Sequence, residues 1–327
     1  MKEFYMNLAL KEAWKYQFLT YPNPAVGCVI LDKNNQILSI KVHEKQGEAH
    51  AELNAIKEAL KVLKPEFNFP KEPNALHEFI LTNHQKLLQN ATAFVTLEPC
   101  AHQGKTPPCA KLFSTLEFKK VFVSVKDENQ IASGGAEFLR QKGILVEMGI
   151  LEKEGRELLK PFLKWQNGTF KLFKLALSLN GSALGKFVSN ETSRIYAHQI
   201  RSIIDLLVVG GGTLRKDRPI LDSRLCGGKA PNLCILSRQN LESFDKTIPA
   251  FNVKNRQIFT QIPSNAKFLM YEGGAEFLKS FKNQMDMFLI FHNAKFNQEE
   301  NVKLDLELRP LFKGNFKEDS YGIYELL

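Results

Sequence analysis

The sequence lacks the features of several large protein classes. Its apolar runs fall short of the ~20 residues that a membrane-spanning helix needs. Its first residues carry Lys11, Glu12 and Lys15 within their apolar stretch, so they contain no signal-peptide core. Five cysteines in 327 residues are too few, and odd in number, for a disulfide framework. No internal repeat or low-complexity tract is present. We therefore expect a globular protein of the reducing cytoplasm, without a membrane partner.

The composition is that of a packed protein, with 44% hydrophobic and 24% charged residues. At ~100–200 residues per domain, the length predicts two domains. The formal net charge of +9 is spread along the whole chain and forms no basic block. A lysine-rich composition explains this charge, and so does an anionic small substrate. A nucleic-acid partner is the interpretation that the charge pattern favours least.

The hydrophobic pattern alternates between strand-like and helix-like segments, which predicts a three-layer α/β domain over residues 1–147. The segment Lys64–Asn90 has weak periodicity and three prolines, which predict an insertion or long loop. A charged amphipathic helix follows at Glu152–Lys164. Strand and helix signals then resume, so residues 148–327 are predicted to form a second α/β domain.

One histidine and two cysteines give the strongest chemical signal. His50, Cys100 and Cys109 are the nitrogen and thiolate ligands that a catalytic zinc ion takes in threes, with water in the fourth position. A helix predicted to start at Cys109 would favour the thiolate form of that residue. Glu52 lies two residues past the histidine and is suited to take a proton from water and return it to a leaving amine. We predict one zinc ion per chain.

Each of these residues also has a simpler explanation. A histidine before a helix is commonly a cap or surface residue, and a lone cysteine is commonly a small buried apolar residue. A structural zinc site would want a fourth ligand, for which His102 is a candidate. The order H-x-E followed by P-C is the signature of zinc nucleobase deaminases. In this sequence eight residues, instead of two, separate the cysteines.

Three motifs together resemble a known family. The string TLEPCAHQGKTPPC (Thr96–Cys109), with PNPAVG upstream and GEAHAE between, is similar to the bifunctional deaminase/reductase of riboflavin biosynthesis, in which the longer cysteine spacing is normal. The resemblance implies a cytidine-deaminase-like domain that removes an amino group from 2,5-diamino-6-ribosylamino-4(3H)-pyrimidinone 5′-phosphate. It assigns His50, Cys100 and Cys109 as zinc ligands and Glu52 as the proton shuttle.

The same resemblance suggests residues that contact the substrate. Asn23 stands at the asparagine of PNPxVG, where its amide can bond a pyrimidine edge, although Asn-Pro is also ordinary turn chemistry. His102, Lys105 and Thr106 lie in a polar loop between the cysteines that would suit a phosphate group. A solvated loop without a ligand is the alternative.

Glycine turns follow two predicted strands in the second half. Gly210-Gly211-Gly212 does not complete the dinucleotide fingerprint, because Arg215 stands at its last glycine position, so we do not predict a classical Rossmann domain. KLALSLNG (Lys174–Gly181), VVGGGTLRKDRPIL (Val208–Leu221) and YEGGAEFL (Tyr271–Leu278) resemble the three reductase motifs of the same family.

This resemblance implies a dihydrofolate-reductase-like domain over residues 148–327 that uses NADPH to open the ribosyl ring into a ribityl chain. Matching positions divide into two groups. The cofactor positions are Ala176, Phe187, Thr213, Asp217, Ser237 and Gly274. The substrate positions are Arg201, Leu221, Arg224 and Glu272. The arginine pair suits a phosphate group, with surface salt bridges as the alternative. Asn180 stands where the family usually has Asp, and Phe187 where Trp is usual.

Further functional hypotheses stay open at the level of sequence. One is a deaminase acting on tRNA or free nucleosides, with an unrelated second domain. Another is a deaminase whose second half is a degenerate binding or structural module. A non-catalytic binding protein with a structural zinc would have no use for Glu52. We expect a homo-oligomeric enzyme that takes a phosphorylated pyrimidine and binds no nucleic acid.

Overall fold

The computed structural model describes residues 1–102, 107–129, 133–183 and 188–327. By internal contacts the chain divides into two compact units, Met1–Phe162 and Leu163–Leu327. The boundary that we predicted after residue 147 lies before this division. Within the first unit, Gln17 donates a hydrogen bond of 2.6 Å to the carbonyl of Leu158, and the Leu158 side chain is buried. These contacts place residues beyond 147 with the first unit.

The first unit alternates helices and strands over most of its length. Its elements, in chain order, are α1 (Lys2–Trp14), β1 (Gly27–Leu31), β2 (Ile37–Val42), α2 (Ala51–Leu63), α3 (Pro73–Asn83), β3 (Thr92–Leu97), α4 (Cys109–Thr115), β4 (Lys120–Val125), α5 (Gly135–Gln141), β5 (Leu145–Met148) and α6 (Glu152–Asn167), within which the division falls. The described strands form one sheet in the order β2-β1-β3-β4-β5. β1 is antiparallel to both neighbours, and β3, β4 and β5 are parallel. β1 and β3 are buried along their whole length, as expected where helices cover both faces of a sheet.

The segment predicted as an insertion or long loop contains a helix, so the loop interpretation was wrong for part of it. α3 begins with Pro73 in its first turn, and the Glu72 carboxylate accepts hydrogen bonds from the next free amides. Leu76 and Ile80 bury one face of the helix. Among the described residues of this helix only Leu76, His77 and Ile80 are buried, so its apolar pattern is weak.

The second unit is built on a larger sheet. Its elements after α6 are β6 (Phe170–Leu177), α7 (Glu191–Arg201), β7 (Leu206–Gly210), α8 (Gly211–Asp217), β8 (Asn232–Leu236), β9 (Ile258–Phe259), β10 (Phe268–Glu272), α9 (Ala275–Phe281), β11 (Met287–His292), β12 (Leu308–Phe316) and β13 (Asp319–Leu326). Among the described residues the strand order is β12-β13-β11-β6-β10-β7-β8-β9. The last six strands of this order are parallel to one another. β13 is antiparallel to both of its neighbours, β12 and β11.

Parallel strands in the second unit bring several chain segments to one sheet edge. β10 lies between β6 and β7, and Glu272 pairs in register with Lys174 on one side and Val209 on the other. The carboxyl ends of these strands therefore meet, which is where α/β sheets bind ligands. α8 and the β12–β13 hairpin are elements that we did not predict. In the part of the chain that the structure describes, no helix is long and apolar enough to cross a membrane.

Candidate functional site

Three side chains that are distant in sequence converge in the first unit. His50 directly precedes α2, Cys109 is the first residue of α4, and Cys100 follows β3. Their ligand atoms all lie within 4.8 Å of one another. The Nδ1 atom of His50 is 3.5 Å from the sulfur of Cys109 and 3.8 Å from that of Cys100. The structure thus brings together all three residues that we predicted as zinc ligands.

This cluster fits a tetrahedral zinc ion. Zn–S bonds of ~2.3 Å and a Zn–N bond of ~2.0–2.1 Å at tetrahedral angles would separate nitrogen from each sulfur by about 3.6 Å. Both observed separations are close to that value. The backbone amide of Cys109 donates to the Cys100 sulfur, and hydrogen bonding with Cys109 lowers the pKa of the Cys100 thiol to about 4. These features favour a thiolate at Cys100, the form that zinc requires. The hydrogen bond with Cys100 and burial raise the pKa of Cys109, which is opposite to the effect that we expected from its position at the start of α4.

Glu52 lies beside the cluster on the first turn of α2 and is only 4% exposed. Burial raises the pKa of its carboxyl group to about 7, against an opposing effect of the His50 charge. A carboxyl group with a pKa near neutrality can both accept and donate a proton, which is what a general acid–base group needs. The structure places Glu52 where the sequence predicted it.

The TLEPC segment is held in place by its own polar side chains. Thr96 accepts a hydrogen bond of 3.0 Å from the amide of Gly27, which ties it to the PNPAVG motif. The buried carboxylate of Glu98 accepts from the amides of Asp127, Gly134 and Ala136. These bonds satisfy loop amides that burial would otherwise leave without partners. They hold Asp127, Gly134 and Ala136 next to the chain that carries Cys100.

A histidine that we did not single out orients Asn23. His43 follows β2 and is buried, and burial lowers its pKa to about 4, so its ring is neutral at pH 7. Its Nδ1 lies 3.1 Å from the carbonyl oxygen of Ala49, which can only accept, so Nδ1 carries the proton. Its Nε2 therefore accepts from the Asn23 amide nitrogen at 3.1 Å. The amide oxygen of Asn23 is then the atom able to accept from a ligand.

The predicted polar loop between the cysteines is described only in part. Lys105 and Thr106 lie outside the described residues. His102 is described, and its Nδ1 is buried without a hydrogen-bond partner among the described residues. Asp127 faces the same region, and its pKa is raised by burial and, more weakly, by the charge of Glu98. Nothing in the spacing of the sequence linked Asp127 to this motif.

A cavity of about 990 Å³ opens at the sheet edge of the second unit. Most of the positions that we predicted for the reductase motifs line it. They are Ala176, Arg201, Thr213, Asp217, Leu221, Ser237, Glu272 and Gly274. Arg224 is not among the lining residues; its exposed guanidinium pairs with the Asp222 carboxylate at 2.5 Å. Phe187 lies outside the described residues.

Two glycine positions on this cavity wall have packing reasons for lacking a side chain. A Cβ atom on Gly211 would lie 2.6 Å from the hydroxyl oxygen of Ser237, and one on Gly273 would lie 2.7 Å from the ring of Phe277. Neither distance is compatible with an alanine at an unchanged backbone. The backbone of both glycines therefore lies close to these side chains in the lining of the cavity.

A buried ion pair lies at the centre of the cavity. Arg201 donates two parallel hydrogen bonds to the Glu272 carboxylate, at 2.8 and 2.6 Å, and Lys174 lies 3.6 Å from one of its oxygens. Burial by itself would raise the pKa of Glu272, but the charges of Arg201 and Lys174 lower it to about 2. The planar fork that we expected to hold a phosphate group therefore binds Glu272, and Lys174 joins the set.

The loop after α8 is fixed from the α7 side. Arg201 also donates to the carbonyl of Asp222 at 3.3 Å, and the amide of Leu225 donates to Nδ1 of His198 at 3.5 Å. Leu221, which precedes Asp222, is 6% exposed and has a φ of +60°. Nothing in the sequence pattern linked His198 to this loop.

Asn180, the departure from the usual aspartate, has a defined set of contacts. Its amide nitrogen donates to the carbonyl of Asn297 at 3.0 Å, and its amide oxygen accepts from the Asn297 amide at 3.1 Å and from the Ser178 hydroxyl. A carboxylate could accept both bonds but could not donate the third. The asparagine thus joins two loops that an aspartate would hold less completely.

The fold of the first unit and its cluster of His50, Cys100 and Cys109 are of the deaminase type. A second α/β unit follows in the chain. Residues 1–125 match the family model of the cytidine and deoxycytidylate deaminase zinc-binding region. The curated riboflavin biosynthesis protein RibD of Bacillus amyloliquefaciens is 36% identical over 233 residues, which span 69% of this chain and 56% of that protein. RibD of Aquifex aeolicus is 30% identical over 352 residues, which span 94% of this chain and 91% of that protein.

The chain therefore belongs to the RibD family. The alignment with the Bacillus relative covers little more than half of that protein's length. A crystal structure from Thermotoga maritima, named as a diaminohydroxyphosphoribosylaminopyrimidine deaminase/5-amino-6-(5-phosphoribosylamino)uracil reductase, shares the fold with a TM-score of 0.64 and 24% identity, over 100% of this chain and 99% of that one. Acinetobacter baumannii RibD gives a TM-score of 0.61 at 24% identity over the same shares. The predicted two-domain α/β fold class is confirmed.

Proposed function

We propose that this chain catalyses two steps of riboflavin biosynthesis, a hydrolytic deamination in the first unit and an NADPH-dependent reduction in the second. The observation that carries the proposal is the His50, Cys100 and Cys109 cluster with Glu52 buried beside it. The substrate of the first step is 2,5-diamino-6-ribosylamino-4(3H)-pyrimidinone 5′-phosphate. The reduction then turns the ribosyl group into a ribityl chain.

For the deamination, His50, Cys100 and Cys109 hold one zinc ion. When bound, zinc supplies a Lewis acid that lowers the pKa of water. Glu52 takes a proton from the attacking water and delivers it to the amine, which leaves as ammonia while the ring carbon gains an oxygen. Asn23, oriented by His43, binds the pyrimidine edge through its amide oxygen. His102, Lys105 and Thr106 are assigned to the substrate side of the same site.

For the reduction, the cavity of the second unit receives NADPH and the deaminated pyrimidine. When bound, NADPH supplies a hydride. Glu272 stays ionised beside Arg201 and Lys174, so its carboxylate can accept hydrogen bonds from substrate hydroxyls. Leu221 and Arg201 complete the substrate side, and Arg224, which pairs with Asp222 and is not among the lining residues, is assigned to it by the motif alone. The cofactor side comprises Ala176, Phe187, Thr213, Asp217, Ser237 and Gly274.

A coupled assay with the diaminopyrimidine phosphate tests both steps, read as ammonia release without NADPH and as NADPH oxidation with it. In Glu52→Gln we expect unchanged zinc content and a deamination rate lower by about 10²–10⁴-fold, because a glutamine cannot carry the proton. NADPH oxidation with purified 5-amino-6-(5-phosphoribosylamino)uracil should persist in this variant. Full deamination in Glu52→Gln would contradict the shuttle role.

A second candidate function is deamination alone, with the second unit as a binding or structural module. The observation that favours it is the Arg201 guanidinium, which already uses two of its five donors on Glu272 and a third on the Asp222 carbonyl. A folded protein that releases ammonia but oxidises no NADPH with the purified deaminated substrate would establish this second function.

The proposal requires a small-molecule substrate and no nucleic acid or membrane. A homo-oligomer and a cytoplasmic location stay predictions. Size-exclusion chromatography with light scattering measures the first, and fractionation of the source cells measures the second.

A further inference from the structure

The loop that carries Leu221 adopts a conformation that its own residues disfavour. Arg218 and Leu221 have φ values of +45° and +60°, in the left-handed region that residues other than glycine rarely adopt. A bulky side chain such as that of leucine is especially disfavoured there. Yet Leu221 is buried and lines the cavity. Contacts from outside the loop must therefore hold it in this state.

Arg256 provides such contacts, although it lies 35 residues further along the chain. Its guanidinium donates to the carbonyl of Ile220 at 3.0 Å and to that of Leu221. It donates also to the carbonyls of Pro231, at 2.9 Å, and Ala250, at 3.3 Å. The side chain thus uses its planar set of donors on four main-chain acceptors from three segments, and it forms none of these bonds with a carboxylate.

Two arginines hold neighbouring peptide units of this loop. Arg201 donates to the Asp222 carbonyl and pairs with Glu272 in the cavity, whereas Arg256 holds Ile220 and Leu221. A lysine could not replace either arginine fully, because its ammonium lacks the flat fork that reaches several carbonyls in fixed directions.

We propose that Arg256 is a positioning residue for the pyrimidine substrate of the reduction: by holding the Ile220 and Leu221 carbonyls it keeps Leu221 in its left-handed conformation against the cavity. This inference rests on the proposed reductase function of the second unit. Arg256 touches neither substrate nor cofactor in this role; it acts through Leu221.

The test compares Arg256→Met and Arg256→Lys with the wild type. For the purified deaminated pyrimidine phosphate we expect the KM and the calorimetric Kd to rise about 100-fold in Arg256→Met and about 10-fold in Arg256→Lys, as donors are lost. The KM for NADPH should change less than twofold. Hydrogen exchange should accelerate in residues 218–226 but not in β7 or β10.

Arg309→Met is the matched control, because Arg309 bonds the Glu325 carboxylate in the β12–β13 hairpin. It should leave the substrate Kd unchanged even if it lowers the melting temperature. An unchanged substrate Kd in both Arg256 variants, or an equal weakening for substrate and NADPH, would overturn the inference. If Arg256→Met fails to fold, the lysine variant decides.

A different experimental result would refute the proposed function. A wild-type protein that binds the pyrimidine phosphate without oxidising NADPH would refute the reduction, while the Kd values would still decide the role of Arg256. A wild-type protein that binds no pyrimidine phosphate in the second unit would refute both.

Discussion

The two candidate sites are built in different ways. The site of the first unit uses a few side chains from two short motifs, each placed where a helix begins or a strand ends. The site of the second unit is a wide cavity lined by residues of many segments, in which Arg201 and Lys174 pair with Glu272. A metal ion binds only particular donor atoms, so the residue types in the sequence indicate a metal site. A cofactor cavity depends on its shape, which many different residues can form, so residue types indicate it less clearly.

This difference predicts how each site responds to change. Removing one of the three donor side chains of the His50, Cys100 and Cys109 cluster should abolish deamination and leave the second unit unaffected. Changes in the second unit should be graded, because several contacts share the same task. Four variants test this contrast, from the largest expected effect to the smallest.

Cys109→Ser should cause the largest loss. A hydroxyl does not replace a thiolate as a zinc ligand, and the missing Lewis acid is worth several kcal/mol. That corresponds to at least about 10³-fold in rate. We expect zinc content, measured by mass spectrometry, to fall with the rate of ammonia release. NADPH oxidation with the purified deaminated substrate is the internal control, and its loss would show that the two units are not independent.

Glu272→Gln should destabilise the second unit. The change leaves Arg201 and Lys174 buried without their counter-charge, which costs ~3–5 kcal/mol for a buried pair. Urea unfolding followed by a probe in the second unit measures it. Glu307→Gln, which removes a carboxylate from an exposed position of the same unit, is the control and should have no comparable effect. Equal stability of the Glu272 variant and wild type would disprove the role of the pair.

Asn180→Asp restores the residue usual in the family, yet we expect it to weaken this protein. The carboxylate cannot donate to the Asn297 carbonyl, and the loss of one hydrogen bond costs ~0.5–1.5 kcal/mol. Hydrogen exchange in residues 295–302 should accelerate. Asn180→Ala, which loses both kinds of bond, should be at least as unstable; a more stable Asp variant would refute the account.

His198→Asn should change only the pH dependence of stability. Burial and the charge of Arg201 lower the pKa of His198 to about 4, from an ordinary value of 6.5. Asp222, Arg224 and Glu272 also face it. Below pH 6.5 the unfolded chain binds a proton that the folded chain does not take up until about pH 4. Stability from this group is therefore constant above pH 6.5 and falls as the pH drops toward 4.

The asparagine variant keeps an acceptor for the Leu225 amide but does not titrate. Its melting temperature should decline less between pH 6.5 and 4 than that of wild type. Burial also lowers the pKa of His292. Because His292 is present in both proteins, its contribution to the pH dependence cancels in the difference. Parallel declines in the two proteins would contradict the shifted pKa.

The sequence predicted the parts of this molecule that depend on local pattern. The alternation of strand-like and helix-like segments in the first unit was predicted from the hydrophobic pattern, and the observed order of elements follows it. α8 was missed because it opens with two glycines, which disfavour helices. The β12–β13 hairpin was missed because its partly exposed strands, with Pro310 and Gly314, lack an apolar run.

For the two sites, too, the sequence predicts only what residue type and local order determine. The convergence of His50, Cys100 and Cys109 could be predicted because their residue types and order are those of a metal site. His43 and Arg256 could not, because each acts on a main-chain carbonyl that any residue would supply. The pairing of Arg201 with Glu272 could not be predicted either, since both residues were assigned to substrate and only the folded sheet shows that they meet.

The carbonyl of Ala49, which accepts a hydrogen bond from Nδ1 of His43, belongs to the residue directly before His50 of the cluster. One peptide unit therefore sets the direction of the His50 imidazole in the cluster and, through His43, the orientation of the Asn23 amide. Under the proposed function, metal placement and recognition of the heterocycle depend on the same short piece of backbone. A change of preferred heterocycle would then have to begin at Asn23 itself, since shifting this backbone would displace His50 as well.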